Sequence, residues 1–162
     1  MPFIQNTSLI SIVNGNSYRK AGNNAMLIQI VDPDIDFPKP ADQFKEIHQF
    51  KFLDAEYNDP SVNDSLKCSH EQAEQLVELL QHALDNDMNT VIHCHAGICR
   101  SGAVAEVGVM MGFTDLGKFR SPNLMVKHRM MLVLGLTYDI KEQPSTNGIV
   151  TKSGIIIPKS TF

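Results

Sequence analysis

Ten consecutive residues, His93-Cys94-His95-Ala96-Gly97-Ile98-Cys99-Arg100-Ser101-Gly102, gather a thiol, a guanidinium and a hydroxyl at close spacing. They follow the β-branched run Thr90-Val91-Ile92 and precede a stretch of small apolar residues, so the segment is predicted to turn from a buried strand into a helix. A turn of that kind holds anions with main chain alone. Its exposed N–H groups form a nest and the helix N-terminus adds partial positive charge, which suits phosphate. Cys94 is expected at the base of the nest, where the same field favours the thiolate and makes it a nucleophile at neutral pH. Arg100 can bend back and grip two phosphoryl oxygens with its planar fork, which lysine cannot copy. Gly97 lets the backbone approach the oxygens. Ser101 can offer its hydroxyl to the Cys94 sulfur and ease its departure from a phosphocysteine. The loop amides of His95, Ala96, Gly97, Ile98, Cys99 and Arg100 are the candidate phosphate-binding groups, with the His95 side chain expected at the rim.

Something must hold this loop in place, and the surrounding sequence supplies the elements. Ser69 followed by Gln72 is a capping box, and Ala73, Leu76, Val77, Leu80, Ala83 and Leu84 recur at helical spacing, which predicts a helix over about 70–86. Ala25 to Val31 reads as a buried strand stopped by Asp32-Pro33-Asp34, and His48 to Leu53 as another strand ending at Asp54. Strand, helix and the strand before Cys94 make a βαβ unit. Leu9 to Val13 is a further candidate strand. Ser101 to Met111 predicts a buried helix ending near Gly112, and Ser121-Pro122 opens another, with Ser121 as N-cap, that runs to about Gly135. Glu56 to Lys67 is a loop rich in Asn, Asp, Ser and Pro. The fold class expected is α/β, a central, mostly parallel sheet flanked by helices, in a single domain over 1–162. Residues 137–162 are expected to form a C-terminal extension or appended hairpin, with strands at Ile149–Thr151 and Ile155–Ile157.

The loop HCHAGICRS resembles the signature of the cysteine-based protein tyrosine and dual-specificity phosphatases: Cys, five residues, Arg, then Ser or Thr, with His before the Cys. Its Ala-Gly pair and trailing Ser101 look most like the dual-specificity branch. From Met26 to about Gly112 the chain is similar to small microbial and phage-type tyrosine phosphatases. The resemblance implies a phosphocysteine mechanism with Cys94 as nucleophile, no cofactor, a phosphorylated protein or peptide as partner, and an upstream aspartic acid that protonates the leaving oxygen and then activates water. Asp54 matches the position of that acid, while Asp59 and Asp64, deeper in the loop, stay open because the Asp54-to-Cys94 spacing is long for the dual-specificity branch. The chain has no Trp and so no Trp-Pro-Asp element. The Ile-Cys-Arg-Ser ending also resembles the low-molecular-weight phosphatase loop, whose two cysteines form a reversible disulfide, and this implies redox pairing of Cys94 with Cys99. That class itself carries its signature at the very N-terminus, unlike this chain.

Composition narrows the alternatives. With 14 Lys and Arg against 18 Asp and Glu, the net charge of -4 is a poor match for a phosphate backbone, so nucleic acid is an unfavoured partner. No apolar run approaches the roughly 18 residues of a membrane span, and no secretory signal is recognised. Three cysteines, an odd number, then suggest a reducing, cytoplasmic setting. Adjacent His93, Cys94, His95 and Cys99 converge poorly on one tetrahedral ion, so no metal is expected. Cys68 is expected to pack near the helix start, and Met110, Met111, Met130 and Met131 in the core. Lys118, Arg120, Lys127, His128 and Arg129 form a basic cluster, read as a solvated helix face. Two other functions share the loop: a phosphate-binding pseudophosphatase without useful turnover, and an RNA 5′-triphosphatase.

Overall fold

The computed structural model of the chain describes residues 1–136. Five strands form one wholly parallel sheet: β1 (Phe3–Ser8), β2 (Ala25–Val31), β3 (Glu46–Lys51), β4 (Asn89–Cys94) and β5 (Thr114–Asp115), in the order β3-β2-β4-β1-β5. Among the described residues four α-helices complete it: α1 (Leu9–Asn14), α2 (His70–Asp85), α3 (Arg100–Met111) and α4 (Leu124–Val133). The expected α/β class, a central parallel sheet flanked by helices, is the one found. The appended hairpin and the rest of 137–162 lie outside the described residues.

The period of two along the strands divides two cores. Ile4, Met26, Ile28, Ile30 and Ile92 face one side, where α2, α3 and α4 bury Leu76, Leu80, Val104, Val107, Met130 and Met131 against them. Phe3, Ala25, Leu27 and Val91 face the other, covered by Ile12 of α1 and by loops carrying Ala21, Tyr18 and Phe44. Those loops are fastened through buried amides: Gln5 Nε2 donates to the Arg19 carbonyl at 2.6 Å and Gln29 Nε2 to the Pro38 carbonyl at 2.8 Å. Irregular backbone is thereby satisfied without regular partners. On the first face α3 approaches β1 so closely that a Cβ on Gly108 would lie 2.4 Å from Ile4 Cδ1.

The capping box forms as predicted, with Gln72 N donating to Ser69 Oγ and Ser69 N to Gln72 Oε1, and α2 starts one residue later. Two sequence expectations are corrected. Leu9–Val13 is helical, not a strand: Ser8 accepts from Ser11 N as an N-cap, and the apolar run closes on Gly15 at φ 71°. The strand lies just before it, at Phe3–Ser8, hidden by its polar Gln5, Asn6 and Thr7. Helix α4 opens at Leu124 behind Asn123, whose side chain accepts from Val126 N, and not at Ser121-Pro122.

The basic cluster is also corrected. Lys127 and His128 are buried, and Arg120 and Lys127 share Glu106, with bonds of 3.2 and 2.8 Å. Arg129 donates to the Cys68 carbonyl at 2.6 Å. These cations tie α4 to α3 and to the start of α2; they do not form a solvated face. Met130 and Met131 lie in the core, with Met110 and Met111 packed at its margin, and Cys68 is buried beside the start of α2. No helix among the described residues is long and apolar enough to cross a membrane.

Candidate active site

Strand β4 is the middle strand of the sheet, and its last residue is Cys94, paired in register with Ser8 at the end of β1. Ligands of open parallel sheets collect at the carboxyl ends of strands, where helix N-termini also point. The chain turns there through His95 to Cys99 and enters α3 at Arg100.

Cys94 is 3% exposed and its sulfur lies at the base of this turn. Gly97 N donates to Cys94 Sγ at 3.3 Å, and Ser101 Oγ stands 3.2 Å from the same atom. Gly97 is in the left-handed region at φ +80°, and a Cβ there would fall 2.3 Å from the Thr7 carbonyl carbon. Both the turn and the close approach to β1 require glycine. Neighbouring elements hold the turn by its carbonyls. Asn6 Nδ2 donates to the Gly97 carbonyl at 2.7 Å, Leu9 N to that of His95 at 3.0 Å, Ser121 N to that of Ile98 at 3.2 Å and Asn123 N to that of Cys99 at 3.0 Å. The turn is thus held from neighbouring elements by its carbonyls, while the amide of Gly97 is directed at the Cys94 sulfur. His95 and Ala96 are exposed at the rim.

His93 is fully buried behind the loop, its Nδ1 3.1 Å from the Cys94 carbonyl. Burial foremost, and then the nearby Arg100 charge, holds its imidazole below the usual histidine range against the opposing effect of that bond. Arg100 is buried, and its Nη1 donates to Asp32 Oδ1 at 2.7 Å and to the Phe52 carbonyl at 2.8 Å. Its Nε is buried without a partner among the described residues.

Of the three candidate acids, Asp54 is the one next to the loop. Asn123 Nδ2 donates to Asp54 Oδ1 at 2.7 Å and to the Ala55 carbonyl at 3.0 Å. The Cys99 thiol is partly buried; burial first, then the nearby Asp54 carboxylate, push it above its usual range. The next acid along, Glu56, clasps the start of α4 by accepting from Leu124 N and Met125 N, each at 2.8 Å. Asp59 is instead turned on its own loop, accepting from Ser61 Oγ at 2.6 Å and Ser61 N at 3.1 Å. Asp64, 93% exposed, meets Lys67 at 3.0 Å. Among the described residues no group of three or more His, Cys, Asp or Glu side chains converges as a metal site.

Three residues at this site were passed over in the sequence: Asp32, Asn6 and Asn123. Asp32 reads there as a strand stop, although its place just past β2, the neighbour of β4, was the available signal. Asn6 is hidden by belonging to an unrecognised strand. Asn123 is an N-cap residue type two positions beyond the Ser chosen instead.

Residues 45–111 match the family model described as Tc-R-P, polymorphic toxin system, DSP-PTPase phosphatase. No curated protein matches the chain. Among solved structures it is similar to OH1 from the Orf virus, described as a tyrosine phosphatase with distinct structural features and triple substrate specificity. That similarity has 20% identity and a TM-score of 0.45, and it covers 68% of this chain and 57% of the viral one. It is also similar to the human tyrosine phosphatase-like serine/threonine/tyrosine-interacting protein, at 18% identity and a TM-score of 0.46 over 68% of this chain and 76% of the human one. The stretch similar to that phosphatase family, residues 45–111, contains the whole Cys94–Ser101 loop.

Proposed function

We propose that the chain hydrolyses phosphate monoesters of proteins through a phosphocysteine, with phosphotyrosine the favoured substrate and phosphoserine or phosphothreonine as further ones. The observation that carries this reading is the convergence on Cys94 Sγ of the Gly97 amide and the Ser101 hydroxyl, with Arg100 at the first turn of the helix behind it. Loop amides of His95 to Arg100 and the Arg100 fork bind the phosphoryl oxygens, whose charge the helix N-terminus also favours. Cys94 Sγ forms a bond to phosphorus as the ester oxygen leaves with the proton of the Asp54 carboxyl. Water then attacks phosphorus, gives its proton to the Asp54 carboxylate, and the sulfur departs with its electron pair, accepting a hydrogen bond from Ser101. No cofactor or metal enters these steps. The domain is read as the whole of 1–162 and its setting as a reducing cytoplasm.

The test is p-nitrophenyl phosphate hydrolysis near pH 6 in EDTA. Wild type is expected to turn over, Cys94→Ser to be inactive, and Asp54→Asn to lose about 10²-fold or more on a phosphotyrosine peptide, whose poorer leaving group needs the acid. A small effect of Asp54→Asn on that peptide would transfer the role to Asp59 or Asp64. Absence of turnover by folded, reduced wild type would replace the enzyme reading with that of a phosphate-binding module.

A further inference from the structure

We propose that Asp32 is a positioning residue for Arg100, fixing the plane of its guanidinium so that the remaining donors face the signature loop; this rests on the phosphoryl-binding role read above for Arg100. Strands β2 and β4 run side by side in parallel, with Gln29 opposite His93, so the residue just past β2 emerges beside the loop that follows β4. Asp32 Oδ1 takes Arg100 Nη1 at 2.7 Å, and the Phe52 carbonyl takes the same nitrogen at 2.8 Å. The five donors of a guanidinium form a rigid planar fork, so binding one corner at two points orients the rest. Arg100 Nε is left buried and without a partner among the described residues. A buried donor that water does not reach costs stability unless something binds it, and a phosphoryl oxygen is the group the site is read to take.

Asp32 carries an opposite effect as well, because a carboxylate beside an anion site repels the anion. The Arg100 side chain is 6% exposed and that of Asp32 41%. Solvent therefore screens the repulsion through space, while the direct charge-assisted bond at the buried guanidinium is screened much less. Orientation is expected to win, and the two effects differ in sign, which makes the test sharp.

Tungstate binding to the full chain, followed by calorimetry in EDTA with reductant, is the primary measurement, beside p-nitrophenyl phosphate kinetics. Exchanging the charge-assisted bond for a neutral one in Asp32→Asn is expected to weaken tungstate binding and lower kcat/KM by about tenfold each, with an unchanged unfolding midpoint. Asp32→Ser should do the same, Asp32→Glu should restore binding to within about threefold, and Asp34→Asn, exposed on the same loop, should bind no more weakly than wild type. In an Arg100→Lys background, which lacks the fork, the Asp32→Asn loss should vanish, as a double-mutant cycle reads directly. Unchanged or tighter tungstate binding in Asp32→Asn and Asp32→Ser, or an equal loss in the Arg100→Lys background, overturns the inference. Wild type that binds tungstate without turnover overturns only the hydrolase reading, since the Asp32 comparison still runs on binding. Wild type that binds no tungstate overturns both.

Discussion

Cysteine chemistry at the residue scale divides the three thiols by what surrounds them. Cys68 is buried among apolar side chains, and desolvation pushes its thiol up to about 12 against the opposing pull of Arg129. It is expected to stay unlabelled by iodoacetamide at pH 7.5 until the chain unfolds, which mass spectrometry of native and denatured samples reads. Cys99 is raised too, by partial burial and by Asp54. This bears on the proposed Cys94–Cys99 pairing. A peroxide would oxidise the Cys94 sulfur to sulfenic acid, and the Cys99 thiolate would displace hydroxide from it, leaving a disulfide and, with the released proton, water. Because Cys99 must first lose its proton, the disulfide should form faster as pH rises from 7 toward 9 once peroxide is present. A formation rate independent of pH across that range, or sulfinic acid at Cys94 with no linked peptide, would remove Cys99 from the role. Gly97 offers a second test at this scale. Gly97→Ala forces a Cβ against the Thr7 backbone at a positive φ, and left-handed geometry alone costs about 1–2 kcal/mol. Loss of stability together with loss of p-nitrophenyl phosphate turnover is the expected outcome, with denaturant midpoints and rates as readouts.

Among the elements, α4 joins the signature loop to the acid loop. Asn123 caps it with Oδ1, holds Asp54 and Ala55 with Nδ2, and binds the Cys99 carbonyl with its own amide. The two side-chain functions separate by substitution. Asn123→Ala should cost about 1 kcal/mol in stability from the lost cap. Asn123→Ser keeps a capping oxygen and should recover most of that stability, yet lacks the reach to Asp54, so its kcat on a phosphotyrosine peptide should stay low. Full recovery of both by Ser would show that the amide bond to Asp54 does nothing for turnover. This junction also explains what the sequence disclosed. Elements with strong local signals were legible: β2 as an unbroken apolar run, α2 from its capping box and heptad-like spacing, and the Cys94–Ser101 turn from residue types that have little reason to cluster otherwise. Elements defined by their partners were not. β1 is a parallel central strand, yet Gln5, Asn6 and Thr7 are there to bind loop backbone, so its pattern resembles a polar segment. β5 is two residues long and exists through pairing with Phe3 and Ile4. Asp32 and Asn123 join the site through contacts 68 and 69 residues distant, which no local window reports.

On the scale of the whole molecule, burying two histidines, His93 on β4 and His128 on α4, makes stability depend on pH in a window apart from the carboxylates. Burial drives His128 down to about 3, with Lys127 adding to it, and burial likewise lowers His93. In the unfolded chain both bind a proton near pH 6.5, whereas the folded protein keeps His128 neutral well below that and shifts His93 in the same direction. Where the unfolded state binds more protons, stability falls as pH falls, so unfolding free energy should decline from pH 6.5 downward, by at most about 1.4 kcal/mol per pH unit for each fully neutral histidine. Carboxylates held low by partners, such as Glu46 between His48 and His82 and Asp115 with Arg120, lose their contribution only below their own unfolded values, under pH 4.5. Glu56 acts in the other direction. Burial raises it above 4.5, so the folded state takes up its proton first and gains relative stability as pH falls through that raised value. The interval between about 6.5 and 5 is therefore the histidine window. Denaturant unfolding at half-unit steps across it should show a declining stability for wild type and a shallower decline for His128→Gln, which keeps polar capacity without a titrating ring. If His128→Gln follows the wild-type slope through that window, His128 is charged in the folded protein and the account of how α4 packs on Tyr57, whose ring lies 6.1 Å from that of His128, must change.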